Sequence, residues 1–196
     1  MVNDTVSRAL EENNGTITPA IADKYSINRM MLSRMAAQGL LERIARGIYL
    51  DPDVFEDELY NLQLRFSRGI FSHDTALFLH GMTDRTPIAF QMTFPRSYNA
   101  TNLNDYAIEP IYQIPDLYNL GITTVRSPGN HLVKVYDVER TLCDIVRLPN
   151  QSETGVIVQA MREYVEKSDK NISQLFRYAQ QLHVEKRIRQ YMEILL

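Results

Sequence analysis

Turn-forming residues divide the first fifty residues into segments that each have room for one short helix or one short strand. Five turn signals lie there: Asn13-Asn14-Gly15, Thr18-Pro19, Tyr25-Ser26-Ile27, Gly39 and Ala45-Arg46-Gly47. Glycine, proline, asparagine and serine recur in these signals because each favours a backbone conformation that interrupts a helix or a strand. The spacing predicts a small domain of short helices followed by a β-hairpin.

Three helices are predicted before the hairpin. The apolar residues within 6–10 recur at i, i+3 and i+4, which is the spacing of one buried helix face. Thr18-Pro19 is typical of an N-cap followed by proline at the first helical position. We expect Ser26 to cap a third helix over about 27–38, and Gly39 to end it.

The hairpin completes a known layout. Strand-like runs at 40–44 and 48–50 flank Ala45-Arg46-Gly47. Helix, helix–turn–helix and hairpin in this order are typical of a winged helix-turn-helix, whose last helix enters the DNA major groove. We therefore expect such a domain over 1–52, because the chain changes from basic to acidic at Pro52.

The remainder, 55–196, is predicted to be a larger mixed α/β domain. Helical spacing is present in 56–66 and after Asp137, and in most of the last forty residues. Strand-like runs separated by turn-rich segments lie at 87–94, 106–114, 121–126 and 131–136. The expected fold class is α+β, with a small antiparallel sheet in this C-terminal domain.

Charge is concentrated where a DNA contact is expected. The whole chain has a net charge of −3, but 24–50 contains five basic residues and one acidic residue. The candidate DNA-binding residues are Lys24, Ser26, Asn28, Arg29, Ser33, Arg34, Arg43 and Arg46. Arg29 is the candidate for base reading and the last two arginines for phosphate or minor-groove contact. The alternative is a protein-binding module whose charges are merely solvated.

The residue types give little support for catalysis. No lysine has an acidic residue two positions before it, which disfavours a common nuclease arrangement, and no glycine pair forms a phosphate loop. His73 and His80 lie seven apart on one predicted helix, but a capping position and a half-buried position explain them. Cys143, the single cysteine, is expected to be a buried thiol. We expect no catalytic residue, no metal and no cofactor.

A second charged surface is a further candidate. Glu139 and Arg140 follow Asp137, a predicted N-cap, and basic residues are dense near the end of the chain. The candidate surface consists of Glu139, Arg140, Lys186, Arg187 and Arg189. The alternative is plain helix architecture, with Arg140 and Asp144 forming an i, i+4 pair.

Neither a leader nor a membrane span is evident. The stretch Met1-Val2-Asn3-Asp4-Thr5 is polar and acidic with no apolar region behind it, and the apolar runs are only a few residues long. We expect a cytoplasmic protein without a membrane partner.

Three motifs resemble those of the AbiEi-family antitoxins. The first contains Ile27-Asn28-Arg29, Leu32-Ser33-Arg34 and the run 39–49. The second is Phe71-Ser72-His73-Asp74-Thr75-Ala76-Leu77 with His80-Gly81-Met82-Thr83-Asp84, and the third is the run 136–144. They occur in order and span most of the chain, so the combination is more specific than the first motif alone.

The resemblance implies the antitoxin of a type IV toxin–antitoxin operon tied to abortive phage infection. Such an antitoxin represses its own promoter by binding inverted repeats, and counteracts a nucleotidyltransferase-like toxin without a stable complex. The implied partners are double-stranded DNA and, functionally, the cognate toxin, with a monomer in solution and two copies on DNA. The alternative is a catalytic antitoxin that modifies the toxin or its substrate and uses the winged helix only for regulation.

Overall fold

The structure, a computed structural model, describes residues 4–99 and 103–195 and divides into two compact units. The first unit contains the described residues up to Arg65 together with Arg126–His131, and the second contains Phe66–Val125 and the described residues from Leu132 onward. Met1 to Asn3, part of the polar stretch discussed above, lie outside the described residues, and so does Leu196.

The first unit is an arrangement of short helices around a small antiparallel sheet. Its elements are α1 (Asp4–Glu12), β1 (Thr16–Ile17), α2 (Pro19–Lys24), α3 (Arg29–Ala37), β2 (Glu42–Ala45), β3 (Ile48–Leu50) and α4 (Glu58–Arg65). The strands lie in the order β1-β3-β2, and both pairings are antiparallel. The sequence did not predict β1, which is only two residues long.

The predicted helix boundaries in this unit are confirmed with one exception. Thr18 caps α2, and its side-chain oxygen accepts a hydrogen bond from the Ile21 N–H. Ser26 does not cap α3: it adopts a positive φ of 53° in the turn, and Asn28 is the N-cap instead. The helix therefore begins two residues later than predicted, because the buried Ile27 is held in the turn by a backbone bond to Ala22.

The second unit contains the larger sheet and a group of helices. Its elements are β4 (Ile70–Phe71), α5 (His73–Leu79), β5 (Phe90–Pro95), β6 (Ile108–Gln113), α6 (Pro115–Tyr118), β7 (Ile122–Arg126), β8 (Leu132–Tyr136), α7 (Val138–Ile145), α8 (Thr154–Glu166), α9 (Ile172–Gln181) and α10 (Glu185–Leu195). The prediction of helices after Asp137 and over most of the last forty residues is confirmed.

The sheet of this unit is mixed, so the prediction of a small antiparallel sheet here is wrong. Its strand order is β6-β5-β4-β8-β7. β4 pairs antiparallel with β5, whereas β5–β6 and β4–β8 are parallel pairs. Parallel neighbours require a crossover connection of about a dozen residues or more. The chain has room for them, since twelve residues separate β5 from β6 and sixty separate β4 from β8.

The protein is thus of mixed α+β class, with a separate apolar core in each unit. Leu32 and Met35 of α3 contribute to the first core, and α7–α10 supply most of the second. Within the described ranges, no helix is long and apolar enough to cross a membrane.

Candidate nucleic-acid interface

α3 presents a polar and basic face to solvent because its apolar residues point to the core. Leu32 and Met35 are buried, while Arg29, Ser33 and Arg34 are exposed. The three exposed residues are all DNA-binding candidates from the sequence. Met30 also lies on the outer face with 70% of its surface exposed, which is unusual for a methionine in a small domain.

The N-terminus of α3 is fixed by a side-chain cap. Asn28 Oδ1 accepts a hydrogen bond of 2.8 Å from the Met30 N–H. This bond satisfies one of the backbone donors that a helix leaves unpaired at its start. Arg29 and Met30, the first two residues of α3, therefore have a well-defined backbone from which to project.

Arg29 is paired with an acidic residue of the preceding helix. Its Nη2 donates to both carboxylate oxygens of Asp23, at 3.0 and 2.9 Å. Both side chains are 65% exposed, so solvent screens the pair and its contribution to stability is small. The sequence reasoning predicted that the Arg29 guanidinium reads a base. Asp23, which orients this guanidinium, was not among the residues it named.

The other polar candidates on this side differ in how far they are already engaged. Ser33 Oγ lies 2.8 Å from the Tyr49 hydroxyl, so this side chain connects α3 to β3. Lys24 Nζ lies 5.0 Å from the centre of the Tyr25 ring, a cation–π distance. Ser26 and Asn28 are both exposed in the turn before α3.

The β2–β3 hairpin carries the two remaining basic candidates. Arg43 lies on β2 and Arg46 at the turn, and both are exposed. Across the part of the chain that the structure describes, neither has an ion pair, and the same holds for Arg34 on α3. Gly47 has a φ of 80°, and a Cβ there would lie 3.1 Å from Pro19 Cγ, so the turn requires glycine.

The candidate surface in the second unit needs correction. Arg140 is completely buried, so it lies on no surface and the prediction that it does is wrong. Its Nε donates to Asp144 at 2.9 Å and its Nη1 donates to the carbonyls of Leu117 and Leu120. Glu139 is half-buried and accepts hydrogen bonds from the Tyr164 hydroxyl and the Asn171 N–H.

The basic residues near the end of the chain are only partly available. Arg187 donates to the Val146 carbonyl at 2.6 Å and to Gln151 Oε1 at 2.8 Å, which makes it a structural side chain. Arg189 is exposed and pairs with Glu185 at 2.9 Å. Lys186 is exposed, and no partner for it is present within 4–99 or 103–195.

Of the titratable residues considered from the sequence, His73 and Cys143 are buried and His80 is half-buried. Burial lowers the pKa of His73 and of His80, so both imidazoles are neutral at pH 7. His80 Nε2 donates to the Tyr136 carbonyl at 2.7 Å. Cys143 is buried as predicted, and burial raises the pKa of its thiol well above the usual range. No cluster of three metal-ligating side chains occurs among the residues that the structure places.

Sequence reasoning missed a buried polar cluster in the first unit. Ser127 Oγ donates to Asp57 Oδ2, and His131 Nδ1 lies 2.8 Å from the same oxygen. Burial alone would raise the pKa of Asp57, but hydrogen bonds from His131, Ser127 and the Tyr60 N–H lower it. Ser127 Oγ donates to Asp57 and otherwise contacts only the backbone N–H and carbonyl of His131, not its imidazole, so this is not the arrangement of an activated nucleophile.

Distance along the chain explains why this cluster was not predicted. Asp57 precedes Ser127 by 70 residues and His131 by 74, and none of the three belongs to a motif. The one residue type that reflects this packing is the glycine at position 129, because a Cβ there would lie 2.6 Å from Asp57 Cβ. The cluster fastens Arg126–His131 inside the first unit, which is a structural role.

Comparison with known proteins assigns the first unit to a class. Residues 4–50 match a family model described as a transcriptional regulator, AbiEi antitoxin. The class is therefore that of DNA-binding transcriptional regulators. This segment, which contains the first motif, is thus similar to the AbiEi antitoxins of toxin–antitoxin and abortive-infection systems, and the match confirms the resemblance.

The fold has a counterpart among solved structures. The crystal structure of the RV2827C protein from Mycobacterium tuberculosis is similar with a TM-score of 0.56 and 13% sequence identity. The similarity covers 92% of this chain and 72% of that one, and it shows a shared fold. The sequence has no significant match among curated proteins.

Proposed function

We propose that this protein is a type IV antitoxin that represses its own promoter by binding inverted repeats in double-stranded DNA. The observation that carries the proposal is the exposed basic face of α3 beside the β2–β3 hairpin, in a segment that matches a regulator family. In this proposal α2 and α3 form the helix-turn-helix and the hairpin is the wing. The functional domains are 1–52 for DNA and 55–196 for antitoxin activity, both acting in the cytoplasm.

α3 is the element that reads the sequence. Arg29 is placed at its start, where side chains of a recognition helix reach base edges, and a guanidinium can donate two hydrogen bonds to guanine. Met30 supplies an exposed apolar side chain next to it, which suits contact with a thymine methyl group. Specificity therefore rests on these two neighbouring residues.

The remaining polar candidates position the protein on the backbone. Arg43 and Arg46 of the wing contact phosphates or enter the minor groove, and Arg34 faces the phosphates beside α3. Lys24, Ser26, Asn28 and Ser33 supplement them with phosphate or mixed contacts. Because the whole chain is acidic, the other surfaces repel DNA and favour this one orientation.

Each half-site takes one winged helix, so a monomer in solution binds as two copies. The test is footprinting of the DNA upstream of the gene, using the full chain. Protection of both arms of an inverted repeat is expected, and scrambling one arm should halve the footprint. The double variant Arg43→Ala/Arg46→Ala should lose protection, whereas the control Arg162→Ala, an exposed arginine of α8, should keep it.

The full chain with no protected site upstream of its gene would contradict promoter binding. Equal loss of protection in the wing variant and in the Arg162 control would contradict the assignment of the wing. Both variants remove only exposed positive charge. In the part of the chain that the structure describes, none of the three substituted arginines has an ion-pair partner whose loss would complicate folding.

We propose further that toxin neutralisation is separate from DNA binding, non-catalytic, and independent of a stable complex with a nucleotidyltransferase-like toxin. Lys186 and Arg189, the exposed basic residues of α10, serve this activity, and the half-buried Glu139 belongs to the same unit. Expressed from an unrelated promoter, Arg29→Ala/Arg46→Ala should still rescue cells from the toxin. Lys186→Ala/Arg189→Ala should rescue less well, while Arg162→Ala should behave as the unaltered protein.

A rescue defect in Arg29→Ala/Arg46→Ala would contradict the separation of the two activities. Full rescue by Lys186→Ala/Arg189→Ala would contradict a role for the basic face of α10. Co-elution of toxin and antitoxin in gel filtration would contradict the absence of a stable complex.

A further inference from the structure

The DNA-binding proposal uses none of the residues of the second and third motifs. These motifs, 71–84 and 136–144, are distant in sequence, yet α5 and α7 carry residues of both to one cavity. The cavity has a volume of about 230 Å³ and is lined by His73 of α5 and Asp144 of α7. All of its lining residues belong to the second unit.

His73 has three unusual properties at this position. It is only 3% exposed, its backbone has a positive φ of 51°, and its Nδ1 is buried without a hydrogen-bond partner in the described structure. A positive φ is uncommon for a residue other than glycine, and a buried ring nitrogen without a partner costs free energy. The strained backbone and the unpartnered nitrogen thus occur together at a residue that lines a cavity, and such unfavourable features are concentrated at functional sites.

The charges around the cavity leave one cation uncompensated. Asp144 is bound by Arg140 at 2.9 Å, so these two buried charges neutralise each other. Burial lowers the pKa of His73, so its ring carries no charge at neutral pH. Arg147, which lines the cavity and is half-buried, has no carboxylate partner within the described ranges.

The remaining polar lining adds hydrogen-bond donors. Gln113, Asn150 and Tyr112, whose side chains carry amide or hydroxyl donors, line the cavity with Arg147. One uncompensated guanidinium with several neutral donors is the chemistry that binds an oxygen-rich anion. The volume is below the range of about 300–1,000 Å³ typical of drug-sized ligands, so the ligand is small.

We infer that this cavity is a binding site for the phosphate group of inorganic phosphate or of a small phosphate monoester, held by Arg147 in a wall that includes His73. The inference is independent of promoter binding, because none of the DNA-binding candidates contributes to the cavity. It gives the second and third motifs a shared role that helix architecture alone does not supply.

The test is a titration of the full chain with inorganic phosphate, and separately with glycerol 3-phosphate, at ionic strength matched with sodium chloride. The readout is the NMR signals of the imidazole nitrogens. The chain has four histidines, and the His73→Asn variant assigns the signals of His73, because asparagine tolerates a positive φ. A saturable shift of the His73 signals is expected with a dissociation constant of about 1 mM.

The variants separate the site from general charge effects. Arg147→Gln should weaken binding at least about tenfold, because it removes a charge-assisted hydrogen bond. Arg162→Gln makes the same change of charge on the exposed surface of α8 and should leave binding unchanged. The ligand that binds more tightly identifies the source of the phosphate group.

Three results would overturn the inference. The first is no saturable shift of the His73 signals with either ligand, and the second is equal affinity in Arg147→Gln and the unaltered protein. The third is equal weakening in Arg162→Gln and Arg147→Gln. If His73→Asn fails to fold, the comparison of Arg147→Gln with the unaltered protein still tests the site. Arg147 is half-buried and has no ion-pair partner in the described structure, so its substitution should leave the fold intact.

Discussion

At the residue scale, Arg29 must exchange one partner for another when it binds DNA. In the structure its Nη2 contacts both oxygens of Asp23. An exposed ion pair contributes about 0–1 kcal/mol, whereas a bidentate contact to guanine contributes about 1–3 kcal/mol of discrimination. The exchange is therefore favourable at the correct base and unfavourable elsewhere, where Asp23 also repels the phosphates.

This exchange gives a prediction for two substitutions. Arg29→Ala should cost about 1–3 kcal/mol in promoter affinity and relax the sequence preference. Asp23→Asn should instead raise affinity for unrelated DNA, because it removes a negative charge close to the phosphates. Gel-shift titrations with promoter and scrambled DNA measure both effects. Unaltered specificity in Arg29→Ala would show that this residue does not read a base.

A second prediction at this scale compares two arginine–carboxylate pairs with the same i, i+4 spacing and the same distance of 2.9 Å. The pair of Arg140 and Asp144 is 0% and 2% exposed, whereas that of Arg189 and Glu185 is 54% and 38% exposed. Asp144→Asn should lower the free energy of unfolding by about 3–5 kcal/mol, because it leaves a buried charge without its partner. Glu185→Gln should lower it by less than about 1 kcal/mol. Urea unfolding of both variants checks this, and similar losses would contradict the assigned environments.

At the element scale, local signals predicted most helices well. Thr18 before Pro19, Asp137 before α7 and Gly39 after α3 act through neighbours in sequence, so their caps and ends could be predicted. Ser26 was misassigned because serine is favoured both as a cap and in turns, and the burial of Ile27 decided between them. Such a decision depends on packing that sequence spacing does not reveal.

The two candidate caps of α3 can be tested separately. Asn28→Ala should destabilise the protein by about 1 kcal/mol, because the Met30 N–H loses its acceptor. Ser26→Gly should be neutral or stabilise it by a few tenths to about 1 kcal/mol, because glycine adopts the positive φ without strain. Thermal unfolding distinguishes the two variants. A larger loss of stability in Ser26→Gly than in Asn28→Ala would show that Ser26, not Asn28, caps α3.

Features that depend on distant segments were beyond sequence reasoning. The parallel pairing of β4 with β8 joins residues more than sixty positions apart, and no local pattern specifies it. The same is true of the cavity, which needs both α5 and α7. Sequence reasoning named Arg29 and Ser33 as DNA-binding candidates, but it did not predict that Asp23 would bind Arg29 or that Tyr49 would bind Ser33.

At the scale of the whole molecule, buried histidines make stability depend on pH. Folding lowers the pKa of His73 and of His80, whereas in the unfolded chain both titrate near about 6.5. Below that pH the unfolded chain binds more protons, so stability rises with pH and is lost on acidification. Each histidine contributes at most about 1.4 kcal/mol per pH unit.

This predicts a lower free energy of unfolding at about pH 5.5 than at about pH 7.5, with a smaller difference in His80→Gln. Glutamine retains a donor for the Tyr136 carbonyl but has no proton to bind. Urea unfolding at the two pH values measures the difference. A difference of the same size in His80→Gln as in the unaltered protein would contradict the role of His80.

The central claim is that the basic face of α3 and the wing form a DNA interface in an otherwise acidic molecule. The most direct test is the slope of log affinity for promoter DNA against log salt concentration. For each lost phosphate contact the slope should fall by about 1, so Arg46→Ala should reduce it by about 1 while Arg162→Ala leaves it unchanged. Identical slopes for the unaltered protein, Arg46→Ala and Arg162→Ala would contradict the claim.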